Sequence, residues 1–275
     1  MTTGALVVIS VPCSAATGMQ AELVKRGAES VDTRQSGPDY VLVCGRFPDE
    51  MTVHRVVTEL RQKGWAAVAR PTDDDPELTA WRNGTRPICI GDGRLRVALP
   101  WAEVERDTVP VLEIDPGAAF GAGRHPSSRL LLEALAARLE GGERVLDVGC
   151  GSGVLAIAAV VLGASTAVGV DIEDAAVVAT SANARRNGVA SQVMASSVPV
   201  QAIGGIFDVI VANIGWSVLI DLAPDIKRCL SPVGWLGLSG ISTAQVSMVA
   251  AAFPGLRVVE TPRLDDWAAI LALPG

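Results

Sequence analysis

The chain has 275 residues, of which 49% are hydrophobic and 19% charged, and its net charge is −7 with an isoelectric point near 4.9. This length and composition exclude a disordered chain and suggest two globular domains. The acidic balance argues against a surface for free nucleic acid and favours a basic protein partner, so we expect no direct binding of nucleic acid.

The first 71 residues alternate apolar, strand-like runs with amphipathic, helix-like runs. The order β-α-β-β-α-β predicts a small ferredoxin-like α+β domain over residues 1–71. The strands are expected at Ala5–Val11, near Val31, at Tyr40–Cys44 and at Trp65–Ala69, and the helices at Ala15–Arg26 and Met51–Lys63. No catalytic cluster is visible here, which leaves substrate recognition and structural support as alternative roles.

A polar run with turn signals follows this domain. It contains Asp73-Asp74-Asp75-Pro76 and Asn83-Gly84, and it predicts a linker over residues 72–87. Beyond it, short alternating stretches over Ile88–Ile114 suggest a small β segment. The remaining chain, within a second domain over residues 88–275, repeats an α/β pattern.

Seven strands are predicted in that repeating region, with helices between most of them. This α/β pattern indicates a Rossmann-like sheet. The charge-free run from Val148 to Val170 is broken by five glycines, so we expect no membrane span. The strands are expected at Arg144–Val148, Thr166–Val170, Gln192–Ala195, Phe207–Asn213, Trp235–Ser239, Arg257–Glu260 and Trp267–Leu271.

The most informative motif is a glycine loop between the first of these strands and the helix that opens at Val154. Its glycines, Gly149, Gly151 and Gly153, follow the spacing G-x-G-x-G and not the G-x-G-x-x-G of a dinucleotide fingerprint. The next predicted strand ends at Asp171, 22 positions after Gly149 (171 minus 149), where an acid can accept both ribose hydroxyls of a nucleoside. This pattern resembles the class I S-adenosylmethionine-dependent methyltransferases.

A second motif lies upstream of the glycine loop. Residues 115–128 read DPGAAFGAGRHPSS and resemble the block D-P-G-x-A-F-G-T-G-x-H-x-T-T of the PrmA family, the methyltransferases of ribosomal protein L-eleven. The resemblance is strong from about Trp81 to the C-terminus and only architectural over the first 71 residues. Further matches lie at 147–159, 169–172, 183–188, 211–214 and 238–241.

The resemblance implies the seven-stranded sheet of class I methyltransferases, whose last strand is a reversed hairpin partner. It also implies S-adenosylmethionine as the cofactor and S-adenosylhomocysteine as the product. It places Phe120 and Gly121 in a loop that folds over the cofactor. Ala122 departs from the usual threonine, and Arg124 brings a cation that could clamp the cofactor carboxylate, obstruct the substrate channel or be a solvated loop charge. The implied cofactor contacts are Ser127, Ser128, Gly149, Gly151, Gly153, Asp171, Ile172 and Asn213.

The segment after the fourth predicted strand of the sheet carries the candidate catalytic residues. Amine methyltransferases have [D/N]-P-P-[Y/F/W] at this place, and this chain has Asn213-Ile214-Gly215-Trp216. We expect the Asn213 carbonyl oxygen to bind the acceptor amine and Trp216 to face a methylammonium. The alternative is that Asn213 only ends a strand and Trp216 only packs.

Five scattered cysteines and two histidines indicate neither a disulfide framework nor a metal site. Cys150 is expected to be a small residue that fills the loop. With no basic residue before Lys25 to suggest a signal peptide, we expect a cytoplasmic protein.

The leading hypothesis is a protein N-methyltransferase that acts on amines, lysine side chains or an α-amine, of a large-subunit ribosomal protein. The N-terminal domain would then be the substrate reader. The alternatives are a methyltransferase for another protein or a small amine, and a cofactor-binding module without transfer activity.

Overall fold

The computed structural model describes residues 5–35, 40–63, 65, 67–71, 86–100, 102–105, 107–115 and 123–275. The chain divides into two compact units, residues 1–84 and 85–275, and the division falls inside the predicted linker. Residues 72–85 of that linker lie outside the described ranges. No helix within these ranges combines the length and the apolar character needed to cross a bilayer.

The first unit is a four-stranded antiparallel sheet with two helices, in the order β-α-β-β-α-β. Its spatial strand order is β2-β3-β1-β4. The elements are β1 (Ala5–Pro12), α1 (Ala16–Lys25), β2 (Ser30–Gln35), β3 (Tyr40–Phe47), α2 (Glu50–Gln62) and β4 (Ala67–Pro71). Alternate residues of β1 and β3, such as Ile9 and Val43, share one core with Leu23 of α1 and Leu60 of α2. Strand alternation and helix periodicity therefore converge on the same apolar layer.

Several boundaries in this unit differ by one to three residues from the sequence-based expectation, and the differences in β4 and β2 are the most informative. The fourth strand begins at Ala67 and not at Trp65, because the Trp65 amide donates to the Leu60 carbonyl at 3.0 Å and closes the exit turn of α2. The extended piece near Val31 is a full six-residue strand. It pairs antiparallel with β3 along its whole length.

The second unit begins with a small sheet of three strands, in the order β5-β6-β7. β5 (Ile88–Ile90) and β6 (Leu95–Ala98) form a hairpin, and β7 (Val111–Glu113) pairs parallel with β6. Ile90, Leu95 and Leu112 are fully buried in the core of the larger sheet. This segment therefore packs as part of the second unit.

The main sheet has the spatial strand order β10-β9-β8-β11-β12-β15-β13, and the short β14 pairs with β15. The strands are β8 (Arg144–Val148), β9 (Thr166–Val170), β10 (Val193–Ser196), β11 (Phe207–Asn213), β12 (Leu230–Ser242), β13 (Leu256–Glu260), β14 (Arg263–Leu264) and β15 (Trp267–Pro274). The helices are α3 (Pro126–Arg138), α4 (Val154–Val161), α5 (Asp174–Arg186), α6 (Trp216–Cys229) and α7 (Val246–Ala251). The predicted Rossmann-like fold with seven main strands is confirmed.

The last strand, β15, lies antiparallel between β12 and β13, as the predicted reversal requires. β12 is much longer than expected, because Pro232 and Gly234 interrupt the apolar alternation at its start. The two-residue β14 carries too short a pattern to be seen in the sequence.

Two apolar cores cover the two faces of this sheet. Side chains of α3, α4 and α5 join one core, and side chains of α6 and α7 join the other. Burial on both faces explains why β8 and β11 read as nearly continuous apolar runs. Because helices cover both faces, the loops meet at the carboxyl ends of the parallel strands.

Candidate active site

The glycine loop lies at the carboxyl end of β8. The chain continues from β8 to β9 and β10 on one side of the sheet and then returns to β11 on the other side, so the strand order reverses at β8. Ligands of doubly wound folds bind at such a switch point. Gly149, Gly151 and Gly153 adopt φ values of +76°, +54° and +83°. Side chains are strained in this left-handed region, so the three glycines permit the turn that the sequence predicts.

Hydrogen bonds attach this loop to the end of β9. The amides of Gly149 and Cys150 donate to the Val170 carbonyl at 2.8 and 3.1 Å. The Gly151 amide donates to Asp171 Oδ2 at 3.0 Å, and the Glu173 amide donates to Asp171 Oδ1 at 3.1 Å. Two backbone amides therefore orient the half-exposed carboxylate of Asp171 beside the glycine loop.

Ile214, the residue after β11, packs against the same loop. A Cβ atom at position 149 would come within 2.3 Å of Ile214 Cγ2, and one at Gly240 would come within 2.6 Å of the Ile214 carbonyl oxygen. Gly240 also has a φ of +82°. The ends of β8, β11 and β12 can meet this closely only because Gly149 and Gly240 lack side chains.

Asn213, the last residue of β11, presents an unused acceptor at this edge. Its Nδ2 donates to Ser128 Oγ, on the first turn of α3, at 2.9 Å. Its Oδ1 is buried and has no hydrogen-bond partner among the described residues. A buried amide oxygen without a partner is costly, and a ligand that donates to it removes that cost. The geometry thus brings together Ser128, Asn213 and the glycine loop.

Ser127 has a different environment from Ser128. Its hydroxyl lies 2.7 Å from Nδ1 of His125, which also accepts the Ser127 amide and so caps α3. The His125 ring packs edge-on against Trp267 at a centroid distance of 4.6 Å. Burial lowers the pKa of His125, which favours the neutral ring whose Nδ1 accepts the Ser127 amide. The paired serines of the sequence therefore divide their hydroxyls between His125 and Asn213.

Asp147 is a buried acid that carried no assigned role in the sequence analysis. Its Oδ2 accepts the Ala156 amide at 3.1 Å near the start of α4. Its Oδ1 is buried and has no partner in the described part of the chain. Burial, and to a smaller extent the charge of Asp171, raise the pKa of Asp147 to about 7. An acid inside an otherwise apolar strand is the sequence signal for this residue.

Cys150 is not a nucleophile. Burial raises the pKa of its thiol to about 12, so the thiol is protonated at neutral pH. A Cβ atom at Gly169 would come within 3.0 Å of its Sγ, which shows how tightly it fills the loop. Over the described ranges, no three histidine, cysteine, aspartate or glutamate side chains are grouped so that they could hold a metal ion.

The other predicted site residues divide into exposed and undescribed ones. Ile172 is 88% exposed beside Asp171, and Trp216 is 39% exposed at the first turn of α6. Phe120 and Gly121, like Ala122, lie outside the described residues. The Arg124 side chain is exposed, and its guanidinium donates to the Arg86 carbonyl at 2.8 Å. This contact holds the cation at the beginning of the second unit.

The combination of a three-glycine loop at the switch point and an acid at the end of the next strand defines a class I methyltransferase, the class whose methyl donor is S-adenosylmethionine. Comparison with known proteins then identifies the family. The family model described as ribosomal protein L11 methyltransferase (PrmA) matches residues 9–273. The chain belongs to this family, as the sequence resemblance predicted.

Individual relatives agree with this assignment. A ribosomal protein L11 methyltransferase of Citrifermentans bemidjiense is 40% identical over 245 residues, which cover 86% of this chain and 73% of that protein. One of Syntrophotalea carbinolica is 45% identical over 251 residues, 85% of this chain and 81% of that protein. The crystal structure of ribosomal protein L11 methylase from Lactobacillus delbrueckii subsp. bulgaricus matches with a TM-score of 0.64 and 28% identity, over 69% of this chain and 98% of that one.

Proposed function

We propose that this protein transfers methyl groups from S-adenosylmethionine to amines of a large-subunit ribosomal protein, the substrate after which its relatives are named. The acceptors are lysine side chains, an α-amine or both. Ribosomal proteins are made in the cytoplasm, so we place the reaction there. The chain's net charge of −7 favours a basic substrate and disfavours direct binding to RNA.

The observation that carries this proposal is the Asn213 amide. Its Nδ2 is held by Ser128 Oγ at 2.9 Å, which fixes the orientation of the amide group, and its Oδ1 is buried without a partner among the described residues. An amine nitrogen is the donor that such an oxygen lacks. Both the acceptor amine and the amino group of the cofactor have this chemistry, and Asn213 lies at the strand end where the two would meet.

The chemistry needs a nucleophile with a free lone pair. A lysine with a pKa near 10.4 is about 99.9% protonated at pH 7, and an α-amine near 7.8 is about 85% protonated. The neutral amine nitrogen attacks the methyl carbon, the carbon–sulfur bond breaks, and the sulfonium becomes the neutral thioether of S-adenosylhomocysteine. The excess proton of the amine passes to solvent. Asn213 accepts a hydrogen bond from the amine and directs its lone pair, but it does not take the proton.

The same geometry supports a set of cofactor contacts. The backbone of the loop with Gly149, Gly151 and Gly153 would lie against the cofactor, and Asp171 would accept the ribose hydroxyls. Ser128, whose oxygen already accepts from Asn213, still has its hydroxyl hydrogen available for the cofactor carboxylate. Ile172 would cover the adenine ring, because it is 88% exposed next to Asp171. Phe120, Gly121 and Ser127 are cofactor residues by family resemblance.

Two further roles complete the proposal. Trp216, partly exposed at the first turn of α6, would face the methylated ammonium. The first unit, which supplies none of these contacts, would recognise the folded substrate. A linker would let it present several substrate positions to one active site.

The direct test uses the purified ribosomal protein, the enzyme and isotopically labelled S-adenosylmethionine. Mass spectrometry of the ribosomal protein should show labelled methyl groups on lysine or the N-terminal amine. Label on a small amine or another protein, with none on the ribosomal protein, would change the assigned substrate. Cofactor binding without any transfer would leave only the cofactor-binding role.

A further inference from the structure

The strand β7 is the edge of the small sheet, and helix α5 completes its hydrogen bonding. Ile114 donates its amide to the Ala98 carbonyl of β6 at 2.9 Å. Glu113 and Asp115 face the other way, where an edge strand normally leaves its amides and carbonyls without backbone partners. Two asparagine side chains bond to these groups. Asn183 lies within α5, and Asn187 is the residue that follows its last turn.

Each asparagine bonds both backbone groups of one residue. Asn187 Oδ1 accepts the Glu113 amide at 2.8 Å, and its Nδ2 donates to the Glu113 carbonyl at 2.7 Å. Asn183 Oδ1 accepts the Asp115 amide at 3.0 Å, and its Nδ2 donates to the Asp115 carbonyl at 2.8 Å. We call these two pairs the asparagine ladder.

The spacing of the ladder follows from the geometry of the two elements. Residues four apart on a helix are about 6.0 Å apart along the axis, and residues two apart on a strand are about 6.6 Å apart. An asparagine at each of two positions four apart on α5 therefore matches alternate residues of an extended segment. One more hydrogen bond, from Asn187 Nδ2 to the Asn183 carbonyl at 2.8 Å, couples the two rungs.

The same helix also holds the glycine loop. Asn183 Nδ2 donates to the Ser152 carbonyl at 2.9 Å, and Thr180 Oγ1 donates to the Gly151 carbonyl at 3.0 Å. A Cβ atom at Gly153 would come within 2.7 Å of the Thr180 side chain. Asn183 is 1% exposed, so these bonds are shielded from water.

An ion pair in the same region contributes less to this arrangement. Arg186 Nη2 lies 3.6 Å from Asp115 Oδ2, and both side chains are about 40% exposed. Exposed ion pairs at such distances are weak because water and salt screen them. The hydrogen bonds of the ladder are shorter, and they satisfy the backbone amide and carbonyl of both Glu113 and Asp115. They therefore determine the position of residues 113–115.

We propose that Asn183 and Asn187 are positioning residues for the cofactor site. By holding Glu113 and Asp115 and, through Asn183, the Ser152 carbonyl, they fix the distance between residues 113–115 and the glycine loop. This inference rests on the proposed function, which places the cofactor against the glycine loop. The asparagines touch neither the cofactor nor the reacting atoms.

The test compares Asn187→Ala and Asn183→Ala with the wild-type protein. Arg185→Ala is the matched control, because Arg185 is an exposed residue on the same turn of α5. Two measurements are made without the ribosomal protein: the Kd of S-adenosylmethionine by calorimetry, and hydrogen exchange of the peptides that contain residues 111–115 and 144–149. The rate of a single turnover at saturating cofactor is measured separately.

For Asn187→Ala we expect faster exchange at residues 113–115 and unchanged exchange in β8. We expect the Kd to rise about tenfold, because part of the net free energy of the three lost side-chain hydrogen bonds is lost to cofactor binding. The saturated turnover rate should stay within about threefold, because a positioning residue for the cofactor acts on binding. Arg185→Ala should change none of these values. Asn183→Ala should raise the Kd further, since it also releases Ser152.

Three results would overturn the inference. Unchanged exchange at residues 113–115 in Asn187→Ala would show that the ladder does not hold this segment. Faster exchange with an unchanged Kd would show that the segment has no bearing on the cofactor. An equal loss of exchange protection in β8 would indicate general destabilisation. If Asn183→Ala does not fold, the half-exposed Asn187 still decides the outcome. Failure of the proposed substrate would appear only in the turnover assay, because the other two measurements contain no substrate.

Discussion

Replacing Asn213 by alanine separates methyl transfer from cofactor binding. The change removes the buried Oδ1 that has no partner among the described residues, together with the Nδ2 that donates to Ser128 Oγ at 2.9 Å. If Oδ1 binds the acceptor amine, whose nitrogen gains positive charge as the methyl group is transferred, the loss of this hydrogen bond in the transition state costs about 1.5 to 3 kcal/mol. This corresponds to a decrease of about 10- to 150-fold in the rate of transfer.

The effect on the cofactor should be smaller. Loss of the neutral hydrogen bond to Ser128 costs about 1 kcal/mol, which weakens S-adenosylmethionine by about fivefold at most. Asn213→Asp is the matched control, because a carboxylate of the same shape keeps an acceptor at the position of Oδ1. We expect this variant to retain most of the transfer rate.

The assay is a single turnover at saturating cofactor, with the Kd of the cofactor measured by calorimetry for each variant. A rate for Asn213→Ala within about threefold of wild type, combined with a large loss of cofactor affinity, would refute the reasoning. Asn213 would then be a cofactor ligand and not an acceptor for the amine. An equally slow Asn213→Asp variant would instead show that the Nδ2 donor is what the reaction requires.

Three other predictions follow from the site and the domain division. Asp171→Ala should weaken S-adenosylmethionine by about 2 to 4 kcal/mol, because charged hydrogen bonds to the ribose are lost, and an unchanged calorimetric Kd would remove this assignment. Folding raises the pKa of Asp147 from 3.8 to about 7. The folded protein therefore binds this proton more tightly than the unfolded chain does. The stabilisation from proton binding is complete below about pH 4 and is lost as the pH rises to 7. Relative to wild type, Asp147→Asn without cofactor should therefore gain up to about 4 kcal/mol of unfolding free energy between pH 4 and 8, measured by urea denaturation, and an equal difference at both pH values would contradict this. A truncated protein that begins at Leu78 should still bind S-adenosylmethionine but lose activity on the folded ribosomal protein far more than on a short amine-bearing peptide; equal loss on both substrates would point to damage in the second unit.

The sequence by itself determined the elements that local pattern and spacing encode. The strands of the main sheet were predictable because burial on both faces requires continuous apolar runs, as in β8 and β11. The turn after β8 was predictable from Gly149, Gly151 and Gly153, because a turn with positive φ favours glycine. Asp171 was predictable because its distance along the chain from the loop reflects one helix and one strand.

Only the tertiary structure decided how residues far apart in the chain share their hydrogen bonds. Ser128 and Asn213 are 85 positions apart, and their contact leaves Oδ1 of Asn213 without a partner among the described residues. The neighbouring Ser127 looks equivalent in the sequence but bonds to His125. The ladder from α5 to Glu113 and Asp115 spans 68 to 74 positions and has no local signature. A local pattern records which face of an element is buried, whereas the partner of a buried polar atom depends on which elements the fold brings together.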